Sequence, residues 1–359
     1  MAKIRVLVVD DSAVVRRVVS DVLSADPDLE VVGTAPDGRV ALLKIAHRNP
    51  DVVTLDVEMP EMDGLEVLST LRRERPELPV IMLSSLTERG AEVTLDCLHR
   101  GATDYVMKPS GVLTPQETAD RLRADLIPRI KLFARRPSPP PAPRVPAVPG
   151  PAPRPRPQRI DLVVVGASTG GPKALPELLS VLTESFPVPI LVVQHMPPVF
   201  TKTFAERLDG LLRLRVRQAA SGELLRGGCV RIAPGDFHLE VRREGPEFRL
   251  LVHDGPMENS CRPSVDPLFR SAARACGPAA LGIVMTGMGR DGLAGSRDLR
   301  AAGGAVLAQD AASSSIWGMP GAVAEAGLAD ALLSPAELGA EVVRRVQAFR
   351  GLPPGGAKP

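Results

Sequence analysis

The stretch Ile4-Arg5-Val6-Leu7-Val8-Val9-Asp10-Asp11 decides how the first half of the chain is read: an apolar run that stops at two carboxylates. A nearly unbroken aliphatic run suits a strand buried on both faces of a parallel sheet. Similar runs follow at Val31–Thr34, Val52–Val57, Val80–Leu83 and Tyr105–Met107. Between them Val14, Val15, Val18, Val19 and Val22 recur at helical spacing, as do Ala119, Leu122, Leu126 and Ile130. The order is βα five times over, which predicts a doubly wound α/β domain, (βα)5, across residues 1–134.

In such a sheet the carboxyl ends of neighbouring strands meet at one crevice. Asp10 and Asp11 follow the first strand and Asp56 ends the third. Like charges about 4 Å apart repel by roughly 4 kcal/mol at an effective dielectric near 20, so the cluster needs a cation or a raised pKa. Oxygen-only ligands point to Mg²⁺. Ser84 and Lys108 follow two further strands and add a hydroxyl and a cation. These parts can form and hold an aspartyl phosphate.

Residues 135–159 are packed with proline, carry arginines and have no acidic residue, so a semi-extended linker is expected there. A second alternation begins after it. Leu162–Val165, Ile190–Val193, Leu281–Met285 and Ala305–Leu307 read as buried parallel strands, with helices around 172–182, 201–211, 267–276 and 292–302. From Cys229 to His253 the pattern shortens and turn signals appear at Pro234-Gly235 and Gly245-Pro246, which predicts a small antiparallel hairpin. The second half, 160–348, is therefore a doubly wound α/β domain with a mostly parallel sheet, and 349–359 a flexible tail.

Its first strand runs into Gly166-Ala167-Ser168-Thr169-Gly170-Gly171. Such a turn can expose a serine at a helix N-terminus or cradle a phosphate. His195 and Asp291 also lie just past strand ends, and serine becomes a good nucleophile only when an imidazole takes its proton and a carboxylate fixes the tautomer. The order Ser, His, Asp differs from that of α/β-hydrolases. His47, His99, His238 and His253 are the other candidate bases; none ends a clear parallel strand.

Composition sets outer bounds. The 359 residues are 44% hydrophobic, 24% charged and 3% aromatic, enough for two aliphatic cores. A net charge of +2 argues against a nucleic-acid-binding field. No apolar run reaches the roughly 18 residues of a membrane span. Cys97, Cys229, Cys261 and Cys276 show no paired spacing and read as free thiols in a reducing cytoplasm.

The first half resembles response-regulator receiver domains through Asp10-Asp11, Asp56 with Met59-Pro60-Glu61-Met62-Asp63-Gly64, Ser84-Ser85 and Lys108-Pro109. The resemblance implies that Asp56 is the phosphoacceptor and that Asp11, Asp56 and the Glu58 carbonyl bind Mg²⁺, with Asp10 supporting through water. Tyr105 would be the aromatic that follows the phosphorylation state. The second half resembles the catalytic domain of the chemotaxis protein-glutamate methylesterase (CheB) family through Gly166–Gly171, Gln194-His195-Met196, Ala233-Pro234-Gly235, Arg262-Pro263-Ser264-Val265-Asp266, Met285–Gly292 and Trp317-Gly318-Met319-Pro320. It implies a Ser168–His195–Asp291 triad that needs no cofactor, an oxyanion hole using the Met288 amide, and Thr169 in the pocket. It also implies glutamate demethylation and glutamine deamidation on chemoreceptors, and a chemotaxis histidine kinase as phosphodonor. A non-catalytic receiver-linked adaptor or phosphate sink is the alternative.

Overall fold

The computed structural model describes residues 2–108, 114–134 and 159–348, so the expected linker apart from Arg159, the tail and Pro109 lie outside the described residues. The chain divides into two compact units, 1–138 and 139–359.

The first unit has five strands, β1 (Ile4–Val9), β2 (Leu29–Ala35), β3 (Val52–Asp56), β4 (Val80–Ser84) and β5 (Asp104–Met107), all paired in parallel in the order β2-β1-β3-β4-β5. Helices α1 (Ala13–Ser24), α2 (Gly38–Arg48), α3 (Gly64–Glu74), α4 (Glu88–His99) and α5 (Pro115–Ala134) connect and flank them. Their starts follow local chemistry. Ser12, Asp37 and Thr87 cap α1, α2 and α4 with side-chain oxygens, and Asp63 and Glu66 form a reciprocal box at α3. The strand order reverses between β1 and β3, which opens a crevice at their carboxyl ends. Val6, Leu7, Val8, Val53 and Leu55 are wholly buried beneath it.

The second unit is built on a seven-stranded sheet in the order β14-β13-β12-β6-β7-β9-β8. The strands are β6 (Leu162–Ala167), β7 (Ile190–Gln194), β8 (Arg215–Gln218), β9 (Cys229–Ile232), β12 (Ala280–Val284), β13 (Ala305–Gln309) and β14 (Leu332–Leu333). Every pairing is parallel. The antiparallel part is narrower than expected: it is only β10 (His238–Glu244) with β11 (Glu247–His253), whereas Cys229–Ile232 joins the main sheet beside β7. Arg231 breaks the apolar run of Cys229–Ile232, and such a short alternation suits a hairpin as well as a parallel neighbour.

Helices α6 (Gly171–Ser180), α7 (Pro198–Leu211), α8 (Val265–Cys276), α9 (Leu293–Ala301), α10 (Met319–Glu325) and α11 (Pro335–Ala348) cover the sheet. Phe269 of α8 is fully buried and forms one core with Val164, Val284 and Leu299. Burying a side chain of that size stabilises by roughly 1.5–3 kcal/mol. The sheet order reverses around β6, between β12 and β7, so the loops that leave these three strands share one crevice. At the borders, β14 has two residues, and β8 presents exposed Arg215 and Arg217 on either side of buried Val216.

Candidate active site and acidic pocket

Ser168, His195 and Asp291 all sit on that shared crevice. The Ser168 amide donates to the Thr286 carbonyl at 3.0 Å, and the His195 amide donates to the Ala167 carbonyl at 3.1 Å, which ties the three loops together. Gln194 Nε2 donates to the Ser168 carbonyl at 2.9 Å. The turn needs small neighbours: a Cβ on Gly287 would stand 2.7 Å from Ser168 Cβ and would run into Met319 Sδ. Ser168 is half-buried, and its hydroxyl makes no hydrogen bond among the described residues.

His195 Nε2 meets Asp291 Oδ2 at 2.8 Å. An ionised carboxylate only accepts, so the neutral ring carries its hydrogen on Nε2 and keeps a lone pair on Nδ1. Cys261 Sγ lies 3.7 Å from that Nδ1. Burial disfavours the imidazolium, but the hydrogen bonds and charge of Asp291 and Cys261 outweigh it and push His195 up to about 9.

Asp291 is 2% exposed. Its Oδ1 accepts from Asn259 Nδ2 (2.8 Å), Ser264 Oγ (2.8 Å), the Gly292 amide (3.0 Å) and the Asp266 amide (3.2 Å), and its Oδ2 also accepts from the Val265 amide (2.7 Å). Burial alone would raise its carboxyl; His195 and these donors hold it below the usual carboxylate range. Asn259 and Cys261 come from an aperiodic turn, and Ser264 and Asp266 from the cap and first turn of α8. Arg262-Pro263-Ser264-Val265-Asp266 is one of the stretches that carry the family resemblance, which implies no role for its residues; Asn259 and Cys261 give no signal beyond their residue types.

The loop after β12 is held open. The Gly287 amide donates to the Ile316 carbonyl at 3.0 Å, and the Gly287 carbonyl accepts from the Met319 amide at 2.8 Å and the Gly318 amide at 3.1 Å. The next amide, Met288 N–H, donates to no acceptor among the described residues, and its side chain is exposed. Thr169 is buried, and its carbonyl accepts from Thr286 Oγ1 at 2.9 Å. Of the other histidines, His238 is buried with Nε2 on the Pro256 carbonyl and Nδ1 accepting from the Ser264 amide, so both of its nitrogens are engaged.

In the first unit, carboxylate oxygens of Asp10, Asp11 and Asp56 lie within 4.8 Å of one another. Lys108 Nζ contacts Asp10 Oδ2 at 2.8 Å and Asp56 Oδ2 at 2.6 Å. Apart from this lysine, those two buried oxygens have no donor. Burial and the charge of Asp10 raise Asp56 to about 6, against the pull of Lys108 and the Glu58 amide. Clustered carboxylate oxygens, two of them buried with Lys108 as their one partner, form an oxygen-only donor set that fits a hard divalent cation. A Cβ on Gly64 would collide with the Asp56 carbonyl, so the loop from Asp56 to α3 closes tightly around the pocket. Ser84 is fully buried, accepting from Thr94 Oγ1 at 2.7 Å and donating toward the Ser85 and Gly90 carbonyls at 3.2 and 3.4 Å. Tyr105 is half-buried on β5, opposite Met82 of β4.

Two doubly wound units, one with an acidic phosphate-type crevice and one with serine, histidine and aspartate at adjoining strand ends, define the class as a receiver-linked enzyme. Residues 163–342 match the CheB methylesterase family and residues 6–118 the response regulator receiver domain family. A protein-glutamate methylesterase/protein-glutamine glutaminase of a Nocardioides species is 52% identical over 99% of this chain and 100% of its own length. The protein of the same name from Trichodesmium erythraeum is 47% identical over 96% and 100%. The crystal structure of the Thermotoga maritima CheB methylesterase catalytic domain is 38% identical, with a TM-score of 0.51, covering 52% of this chain and 98% of that one. The chain belongs to the CheB methylesterase family, in the form that carries an N-terminal receiver domain. No helix among the described residues is long and apolar enough to cross a membrane.

Proposed function

We propose that this chain hydrolyses glutamate methyl esters, and deamidates glutamines, on methyl-accepting chemoreceptors in the cytoplasm. In this reading Ser168 is the nucleophile, His195 the proton carrier and Asp291 the group that orients the imidazole. The observation that carries it is the 2.8 Å contact between His195 Nε2 and a fully solvated-by-protein Asp291 carboxylate, which leaves Nδ1 as the acceptor.

Ser168 Oγ attacks the side-chain carbonyl carbon while its proton passes to His195 Nδ1. The oxygen that gains charge is met by the Met288 amide, which has no competing acceptor among the described residues. Nδ1 then protonates the leaving oxygen, and methanol departs; with glutamine the leaving group is ammonia. A water molecule, deprotonated by the same nitrogen, hydrolyses the acyl-enzyme to glutamate.

The receiver half regulates this chemistry. Asp56 takes a phosphoryl group from a chemotaxis histidine kinase, and Lys108 pairs with the phosphoryl oxygens. Asp11, Asp56 and the Glu58 carbonyl would hold Mg²⁺, with Asp10 behind them through water; the ion supplies positive charge to the phosphoryl group. Couplings of about 1–3 kcal/mol are enough to raise activity by ten-fold or somewhat more.

The test is methanol release from methylated receptor membranes, with and without a small phosphodonor. Ser168→Ala should lose several orders of magnitude in rate and still accept phosphate. Asp56→Asn should keep basal release and ignore the phosphodonor. Full activity in Ser168→Ala removes the nucleophile assignment, and equal stimulation of Asp56→Asn and wild type removes the regulatory one.

A further inference from the structure

Behind Asp291 stands a second buried acid. Asp266 is 4% exposed and its Oδ1 accepts from the Gly295 amide at 2.7 Å. Its Oδ2 accepts from Asn259 Nδ2 at 2.8 Å, and the same nitrogen reaches Asp291 Oδ1 at 2.8 Å. An amide nitrogen has two hydrogens, and here both are spent on carboxylates. Burial and the charges of Asp291 and Glu258 push Asp266 upward. A shared donor between two carboxylates favours the ionised form of both.

Asn259 reaches inward from an exposed turn. Its φ is 53° and that of Ser260 is 60°, two successive left-handed residues, of which asparagine is the side chain that tolerates the conformation best. Glu258 and Cys261 close the turn through paired backbone hydrogen bonds of 3.2 and 2.9 Å, and Arg270 on α8 anchors it by a 2.6 Å ion pair with Glu258. The turn thus costs conformational energy and places one amide between two acids.

We propose that Asn259 is a positioning residue of the hydrolase, and that the Asp266 carboxylate, whose Oδ2 shares the Asn259 amide with Asp291, supports Asp291 through it. The bridge keeps Asp291 ionised and aimed at His195 Nε2; this rests on the catalytic reading given above. The charged and titratable groups facing this pair are His195, Cys261, Asp266, Glu258 with Arg270, and His238 behind Ser264.

The test uses the full-length protein and methanol release, with kcat, KM and the pH profile of kcat for Asn259→Ala, Asn259→Asp, Asp266→Asn and the double variant Asn259→Ala/Asp266→Asn. Ser168→Ala is run beside them. Loss of one charge-assisted hydrogen bond should lower kcat roughly 10- to 100-fold in each single variant, with KM little changed. The double variant should be no worse than Asn259→Ala alone, because the two changes break one chain of contacts. In Asn259→Asp the added negative charge should move the acid limb of kcat to higher pH. Thermal unfolding identifies any variant that fails to fold, and the exposed Asn259→Asp change carries the pH arm independently of burial.

If the losses at Asn259 and Asp266 multiply in the double variant, Asp266 does not act through Asn259. Wild-type kcat and an unmoved acid limb in Asn259→Asp, with Ser168→Ala inactive, overturn the positioning role alone. An active Ser168→Ala instead overturns the catalytic reading beneath it.

Discussion

Nε2 of His195 is committed to Asp291, so in the proposed mechanism the proton of Ser168 passes through Nδ1, where Cys261 already stands. At a value near 9 the imidazole is almost wholly protonated at neutral pH, and only its neutral form can take the Ser168 proton. The rate of methanol release should therefore climb about ten-fold per pH unit through neutrality and level off well above the ordinary histidine range near 6.5. Cys261→Ala removes one of the contacts that favour the imidazolium. It should draw the acid limb downward and raise the rate at pH 7. A wild-type limb at 6.5, unmoved in Cys261→Ala, would contradict this account. The residues at strand ends were legible in sequence because a parallel sheet gathers its carboxyl ends whatever the loops do. Asn259 and Cys261 were not, because their reach to Asp291 and His195 depends on how α8 and an aperiodic turn pack.

Among the elements, the turn from β12 toward α9 has little room for change. Gly287 packs against Met319 and the Ser168 side chain, while its carbonyl takes two amides from the segment that opens α10. Gly287→Ala should destabilise the second unit by about 1–3 kcal/mol through overpacking. It should also cut methanol release by more than ten-fold, since Ser168 must shift, while phosphate uptake at Asp56 stays normal. A variant with native activity and an unchanged urea midpoint would show that the loop has slack. Long aliphatic strands such as β1, β6 and β12 could be read directly. The partner of β9 could not, because Cys229–Ile232 offers the same alternation to a parallel neighbour or a hairpin.

Across the molecule, the two units carry separate cores, and the pockets make opposite demands on acid groups. Asp291 is held low, so its ionised form stabilises the fold at neutral pH. Asp56 is raised from 3.8 to about 6. A carboxyl with a raised folded value favours folding when protonated, so this contribution is present at low pH and lost as pH rises from about 4 through 6. In chelator at pH 7.5, Asp56→Asn should then stabilise the first unit by at most about 3 kcal/mol, an advantage that fades as the pH is lowered to 4. Denaturant melts followed by probes in each half would check this. A destabilised first unit, or the same shift in the second, would refute it. The division of the chain into two βα series was open to sequence reading because each series has its own strand-end chemistry.

The borders of the seven-stranded sheet also bear on behaviour at high protein concentration. One border is a two-residue strand, too short to template a ladder, and the other bears two outward guanidinium groups that a second copy would have to bring together. Intermolecular strand addition is disfavoured at both ends. The hydrolase half is thereby guarded against aggregation through its own sheet.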